Sequence, residues 1–458
     1  MGRLNPQIYL LSEVTDMTGR NRSEMSRRGF LGGLAAGAAF AVVPRHVVAG
    51  SGEQPPSEKL NIAGVGVGGM GFHNLRRLTS ENIVALCDVD EKYAAKAFRK
   101  FPKARKWKDF RKMLDQQDEI EAVLIATPDH VHAVVSAAAM KHGKHVYTQK
   151  PLTHNVWEAR KLRELADRTG VVTQMGNQGH STDGTRTAWE WVRDGAIGPI
   201  REVHCWTFEP RWPQNLPKPK SQAVPGNLDW ELWLGPARER WDYNEILHPG
   251  TWRGFWPYGT AGLGDQGCHV MDASFWALDL RAPTSLYGYP VGGTDASGPL
   301  AEIVHYDFPA RGDKPPVHLT WYDGGLQPPK PPELGPDAEM RRAGTIFVGE
   351  KGKIVVGRYG QDPRILPDEL MQSYDRPPQT LERVHTTHEM RWVEACKTDK
   401  KGSSHFGYAG PLAETVLLGN IAVRTGEYLA WDADNLKITN SEKANALVRE
   451  EYHSGWSL

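Results

Sequence analysis

Leu60-Asn61-Ile62-Ala63-Gly64-Val65 runs directly into Gly66-Val67-Gly68-Gly69-Met70-Gly71. The first half is a short apolar run of the kind that forms a buried strand, and the second is a G-x-G-x-x-G turn opening a helical segment, Phe72 to Leu78. Each glycine has a steric reason. Gly66 permits a tight turn, Gly68 lets backbone approach a pyrophosphate, and Gly71 lets the helix lie close to the strand, while unpaired N–H groups at the helix start face the anion. A second apolar run, Ile83 to Cys87, ends at Asp88, placed where a carboxylate accepts hydrogen bonds from the hydroxyls of an adenosine ribose. Val89 and Asp90 follow, and no arginine does, so a 2′-phosphate would meet two acids. NAD is therefore expected in preference to NADP.

The alternation continues outward from this start. Ala122–Ala126 is expected as a buried strand, Asp129–His142 as a helix with Pro128 just ahead of it, and Lys144–Tyr147 as a further strand. Asn155–Arg168 reads as a helix closed by Gly170, and Val171–Met175 as one more strand. Such a β-α-β series predicts an α/β fold whose parallel sheet, a Rossmann dinucleotide-binding domain, spans residues 59–176. Residues 177–458 are expected to form a second α/β domain that carries the substrate side. In it Glu414–Thr425 reads as a helix, Ile346–Val348 and Lys353–Val356 as a strand pair, and the proline-rich Gln327–Pro336 as a surface loop.

Composition narrows the class. Lysine plus arginine and aspartate plus glutamate number 55 each, so the formal net charge is zero and neither nucleic acid nor an anionic membrane surface is expected as a partner. Hydrophobic residues make up 40% and charged ones 24%, which excludes wholesale disorder and a polytopic membrane protein. The four cysteines, Cys87, Cys205, Cys268 and Cys396, form no C-x-x-C pair, and His130 and His132 have no third ligand at metal spacing, so no metal site is expected.

Residues 1–49 read as an export signal and 50–58 as a solvated linker. Ser26-Arg27-Arg28-Gly29-Phe30-Leu31 precedes an apolar run, Gly32 to Val43, of about a dozen residues, short of the ~20 that span a bilayer. Val47-Val48-Ala49 supplies a small residue for cleavage, so no stable membrane anchor is expected afterwards. The paired arginines resemble a twin-arginine signal and imply a periplasmic destination, with Gly32 standing where that pattern often has lysine and Met25 an alternative start.

Four segments together resemble the Gfo/Idh/MocA oxidoreductases: Gly66–Gly71 with Asp88, Ala126-Thr127-Pro128-Asp129-His130-Val131-His132, Gln149-Lys150-Pro151, and Gly262 to Asp272 with its Asp265 and His269. The resemblance extends from about residue 59 onward. It implies a C-terminal α/β domain with an open, mostly antiparallel sheet that covers the nicotinamide and mediates homo-oligomer formation. It also implies that Lys150, Asp265 and His269 line the reaction centre, and that Thr127, Pro128, His130 and Lys150 join Gly66, Gly68, Gly71 and Asp88 around the cofactor. Gln149 stands where the family usually has glutamate; losing that carboxylate removes a charge that would favour protonated Lys150.

Oxidising a secondary alcohol removes a hydride from carbon and a proton from oxygen, so a base and a positive or donor group are both needed. His269 is the candidate base, since a reference pKa near ~6.5 suits proton exchange around neutrality. Lys150 is its electrostatic partner, and Asp265, four residues before His269, orients the imidazole or shares the proton. Alternatively His269 is a satisfied core histidine and Asp265 a helix cap. After the last Rossmann strand, His180 and Asn177 either contact a polar substrate or merely precede a helix capped by Ser181. The 16 tryptophans concentrate between Trp189 and Trp276, interleaved with Arg211, Arg253 and Tyr258. Most read as core, whereas Trp252, Arg253 and Tyr258 are candidates for a sugar pocket, because flat rings beside donors suit sugar rings. An exported enzyme works where free NAD is scarce, so the cofactor should be tightly retained. Three readings follow: an oxidoreductase acting on a sugar, sugar derivative or cyclitol hydroxyl; a redox-neutral NAD-dependent glycosidase that oxidises, eliminates and hydrates; and a non-catalytic sugar-binding or sensory relative.

Overall fold

A computed structural model describes residues 58–208, 212–398 and 400–458. The expected export signal, nearly all of the linker and Arg211 lie outside the described residues.

Six short strands, β1 (Asn61–Val65), β2 (Asn82–Cys87), β3 (Arg105–Trp107), β4 (Ala122–Ile125), β5 (His145–Thr148) and β6 (Thr173–Met175), form a sheet of order β3-β2-β1-β4-β5-β6. Every neighbouring pair is parallel. This is the doubly wound nucleotide-binding order, and the reversal between β1 and β4 leaves a crevice at the carboxyl ends of the strands. β4 is wholly buried, as a parallel strand covered on both faces requires. Asn155 caps the Val156–Thr169 helix through a capping box with Glu158, and Gly170, at φ 68°, closes it in the left-handed conformation. β3 was not legible in advance because its three residues, Arg105-Lys106-Trp107, carry no apolar alternation.

The second domain is a nine-stranded sheet built from β7 (Ile200–Thr207), β8 (Ser285–Val291), β9 (Ala301–Phe308), β10 (Val317–Tyr322), β11 (Ala343–Gly349), β12 (Lys353–Gly357), β13 (Arg364–Leu366), β14 (Leu429–Asp432) and β15 (Lys437–Ile438). Its order is β13-β12-β11-β7-β10-β9-β8-β14-β15, and among the described strands the β7–β10 pair alone is parallel. The architecture is thus a Rossmann domain joined to an α/β domain with an open, mostly antiparallel sheet. One face of that sheet packs on the helices Ala261–Val270 and Phe406–Thr425, whose residues are almost all buried.

The chain returns twice to the first domain. Helix His388–Cys396 brings the fully buried Trp392 edge-on to Tyr147 of β5, with ring centroids 5.6 Å apart. Phe406–Thr425 lies along Val156–Thr169, where Arg160 donates two hydrogen bonds, of 2.9 and 2.8 Å, to the Glu414 carboxylate. The glycine loop, Lys150 and Ala261–Val270 are therefore held in one fixed frame.

A buried acid pair in the second sheet makes stability sensitive to pH. Glu302 of β9 faces inward beside Asp323, whose carboxylate accepts from the Glu302 amide at 3.0 Å. Burial pushes Asp323 up to about 7 and Glu302 well above the ordinary carboxyl range, the charge of Asp323 adding to the latter. The folded chain then binds protons that the unfolded chain releases, so the stability present at acid pH is lost as pH rises from about 4 through about 7. Melting curves by circular dichroism should show the melting temperature falling between pH 5 and pH 8, with Glu302→Gln flattening that fall; equal slopes for both proteins would contradict the pairing.

Candidate functional site

The glycine loop is shaped by contacts that admit no side chain. At Gly66, φ 74°, an added Cβ would lie 2.7 Å from the Ala126 and Thr127 backbone, and at Gly71 it would lie 1.9 Å from the Gly66 carbonyl oxygen. Helix Gly69–Leu75 is thereby pressed against the end of β1. Asp88, at the end of β2, braces the loop: its Oδ2 accepts from the amides of Val67 at 2.8 Å and Gly68 at 3.1 Å. Its Oδ1 accepts from the Asp90 amide at 2.9 Å. Burial pushes the Asp88 carboxyl up to about 6 against the pull of these backbone donors.

Above the loop lies a cavity of about 560 Å³, within the ~300–1,000 Å³ typical of cofactor and ligand sites. Gly66, Gly68, Asp88, Thr127, Pro128, Lys150, Trp252, Arg253 and Asp265 all stand on its wall. Tyr93, Phe110, Trp212, His248 and Trp456 stand on it too, and none of these five is marked by a motif because each is isolated in sequence from the rest. The hydroxyl of Thr127, buried against this cavity, has no hydrogen-bond partner among the described residues. The helix start at Gly69 for a pyrophosphate, a carboxylate after β2 for ribose hydroxyls and an orphaned hydroxyl after β4, on the other side of the glycine loop, fit a dinucleotide.

On the β5 side four charges meet. Lys150 follows β5, and its ammonium donates to the Asp265 carboxylate and, at 3.0 Å, to the Asp265 carbonyl oxygen. Trp212 donates its indole N–H to Asp265 Oδ2 at 3.1 Å, and Gln266 donates to the same oxygen at 2.5 Å. Arg253 lies 3.6 Å from Asp265 and 3.4 Å from Asp129, with its guanidinium 4.2 Å above the Trp252 ring. Asp129, wholly buried, also accepts from the Thr260 hydroxyl at 2.7 Å. Burial opposes charge on Asp265, but Lys150 and Arg253 outweigh it and hold the carboxyl well below the usual range.

Several expected roles need correction. Asp265 does not orient His269: its oxygens are taken by Lys150, Trp212 and Gln266. His269 sits one turn further along the same helix, off the cavity wall and edge-on to Tyr359 at 4.9 Å. Burial and then the Lys150 charge push its imidazole well below 6.5, so it is neutral, and its Nδ1 has no partner among the described residues. His130 does not reach the cavity, because its ring nitrogens lie against the carbonyls of Trp233 at 3.0 Å and Tyr258 at 3.2 Å, one of them donating, and its ring packs against both side chains. Tyr258 is buried, its hydroxyl accepting from the Trp241 amide at 3.0 Å, so it is core and not pocket. Gly71 serves packing alone. His180 is off the cavity wall: its Nδ1 is 3.1 Å from both Asp272 oxygens, and its ring lies between Trp276 and Tyr408. Asn177 and Tyr408 donate to that same carboxylate at 2.9 and 2.7 Å. Ser181 bonds His388 at 2.6 Å, and Thr182 is the helix cap. Gln149 donates to Asn74 at 3.0 Å, leaving Asp265 as the carboxylate that meets Lys150. Among the described residues no group of three or more His, Cys, Asp or Glu is placed to hold a metal ion.

A glycine-loop nucleotide domain whose crevice is closed by an open-sheet domain, with a lysine–aspartate pair at the junction, defines a dinucleotide-binding architecture. Residues 60–177 match the NAD-binding Rossmann domain of the Gfo/Idh/MocA oxidoreductase family, and residues 200–287 match that family's C-terminal α/β domain. The two matches fall on the two domains described above. Levoglucosan dehydrogenase of Pseudarthrobacter phenanthrenivorans is 29% identical over 148 residues, covering 31% of this chain and 38% of the relative. Alpha-N-acetylgalactosaminidase of Shewanella oneidensis is 25% identical over 234 residues, covering 46% of this chain and 44% of the relative. The chain thus spans about two-fifths of the length of the curated relatives it matches. The WlbA dehydrogenase of Bordetella pertussis, solved with NADH and UDP-GlcNAcA, superposes with a TM-score of 0.59 at 16% identity, over 82% of this chain and all of that one.

Asp88 yields a pH test of the cofactor site. An ionised carboxylate accepts from ribose hydroxyls and a neutral one accepts less well, so NAD affinity should hold above the Asp88 value of about 6 and weaken as pH falls below it. Titration calorimetry at pH 5 and pH 8 checks this, and Asp88→Asn should show weak binding at both.

Proposed function

We propose that this chain is an NAD-dependent oxidoreductase acting on a hydroxyl of a sugar, sugar derivative or cyclitol, with a cofactor retained between turnovers. One observation carries the reading: the buried Lys150–Asp265 pair and the Arg253–Trp252 stack stand in the wall of the same cavity as the glycine loop and Asp88. When bound, the dinucleotide supplies a hydride acceptor. Lys150 presents a positive donor to a substrate oxygen as negative charge develops on it. Asp265 holds that ammonium in place, and Trp212 and Trp252 offer apolar faces to the C–H side of a ring. His269, neutral and with an unpartnered nitrogen, stands off the cavity wall, so its part in proton transfer is indirect.

Retention is supported by how the second domain closes over the first. Asp90 accepts from His248 at 2.8 Å and from Asn227 at 2.6 Å, and the Asp229 amide donates to the Val89 carbonyl at 2.9 Å. These contacts cross from the strand end that carries Asp88 to the loop that covers the cavity. The Ser26–Leu31 arginine pair supports export to the periplasm, where a cofactor that dissociated would be diluted away. Assembly as a homo-oligomer belongs to the same proposal.

A second reading is favoured by the match to the Shewanella galactosaminidase, which is longer than that to levoglucosan dehydrogenase. In a redox-neutral glycosidase, transient oxidation of a ring hydroxyl acidifies the neighbouring C–H, elimination releases the aglycone, and water addition with hydride return restores both partners. Native mass spectrometry of protein purified without added nucleotide, followed by a panel of free sugars, cyclitols and glycosides, separates the readings. A change in nicotinamide absorbance on a free polyol supports the first, and aglycone release with none supports the second. Binding without either would support a non-catalytic relative and overturn the proposal. His269→Ala should lower turnover by about 10²-fold or more with NAD binding intact, and near-normal turnover would remove His269 from the mechanism.

A further inference from the structure

The segment Glu442–Leu458 is strapped to the nucleotide-binding domain at successive points. The Trp157 amide donates to the Val448 carbonyl at 3.0 Å, and Val448 is buried in the core. The Glu450 carboxylate lies 3.5 Å from the buried His154 imidazole, and the Tyr452 hydroxyl donates to Glu158 at 2.6 Å. A further tie runs to the second domain, where the His453 amide donates to the Pro236 carbonyl at 3.0 Å. The strap delivers one indole, Trp456, into the wall of the dinucleotide cavity. Its ring centroid is 6.0 Å from that of Phe110. The Arg111 guanidinium, itself bound to Asp109 at 2.7 Å, lies 4.4 Å over the indole.

Strand order fixes which part of a dinucleotide this wall meets. Phe110 follows β3 and Lys150 follows β5, on opposite sides of Asp88 and the glycine loop. If the reacting ring lies by Lys150, as the proposed function requires, and the adenosine ribose lies at Asp88, the flat group beyond Asp88 is the purine. It meets two aromatic rings and the aliphatic side chains of Val131 and Leu232. We propose that Trp456 and Phe110, packed on each other, form the aromatic wall of the slot that takes the adenine ring, and that the anchored strap carrying Trp456 sets how long the cofactor stays. Aromatic faces stack on a purine without needing hydrogen bonds, and a ring already fixed by Arg111 and Phe110 has little freedom left to lose on binding. This inference rests on the oxidoreductase reading and assigns a cofactor contact to a residue more than three hundred positions from the glycine loop.

The test uses the full chain, with AMP, nicotinamide mononucleotide and NAD as probes. In Trp456→Ala, AMP affinity should fall and NAD release should quicken, each by about tenfold or more, as the loss of one base–aromatic stack implies. Nicotinamide mononucleotide affinity should stay within about twofold, and Trp456→Phe should restore AMP binding. Tyr452→Phe, which cuts the anchor to Glu158 away from the cavity, should also quicken NAD release. Unchanged AMP affinity in Trp456→Ala overturns the slot while leaving the oxidoreductase reading intact. An equal loss for AMP and nicotinamide mononucleotide overturns it too, since that pattern reports a general collapse. A wild-type chain that binds neither NAD nor AMP overturns both. NAD release at the wild-type rate in Tyr452→Phe overturns the control assigned to the strap.

Discussion

The contact between Lys150 and Asp265 joins the two domains at the wall of the dinucleotide-sized cavity. Their side chains are 9% and 4% exposed, so both charges have left water, and the cost of that is recovered only through mutual attraction and a full set of hydrogen bonds. Asp265 has that set: the ammonium, the Trp212 indole, the Gln266 amide and the nearby Arg253. Lys150 is carried by the loop after β5 and Asp265 by the Ala261–Val270 helix, so the pair also fixes how the second domain sits over the crevice. Removing one partner from such a pair typically costs about 3–5 kcal/mol, because the other charge is left buried and unpaired.

Around that fixed point the cavity wall is assembled from distant stretches of chain. The glycine loop and Asp88 come from the start of the first domain, Trp252 and Arg253 from the loop ahead of the Ala261–Val270 helix, and Trp456 from the strap that follows β15. The Asp129–Arg253–Asp265–Lys150 row alternates in sign, so each charge faces an opposite one and none is left alone in a dry site. A neutral His269 beside this row follows from the same electrostatics: burial and a fixed ammonium nearby both disfavour a second positive charge. Its imidazole therefore does not titrate near neutrality as a free histidine would.

What could be read along the chain was whatever depends on near neighbours. Strands β1, β2, β4 and β5, the capping box at Asn155 and the closing Gly170 follow from short-range patterns, since period, cap and turn chemistry act within a few residues. The glycine spacing with Asp88 was legible for the same reason: Gly66 and Gly71 are required by atoms within the loop and the adjoining β4 turn. Resemblance to a family added Lys150, Asp265 and His269 as a group, without saying which would touch which.

The sequence by itself determined the parallel sheet, its glycine loop and the acid at the end of β2, because those are set by local sterics and hydrophobic period. Tertiary structure alone decided that Asp265 serves Lys150 and not His269, that His130 and Tyr258 are spent on interdomain packing, and that His180 belongs to Asp272. It also decided that Tyr93, Trp212, His248 and Trp456 reach the cavity. The reason is physical: a charge or an aromatic ring is directed by the partners that satisfy it in a low-dielectric interior, and those partners lie up to hundreds of residues away, where no periodicity in the chain can announce them.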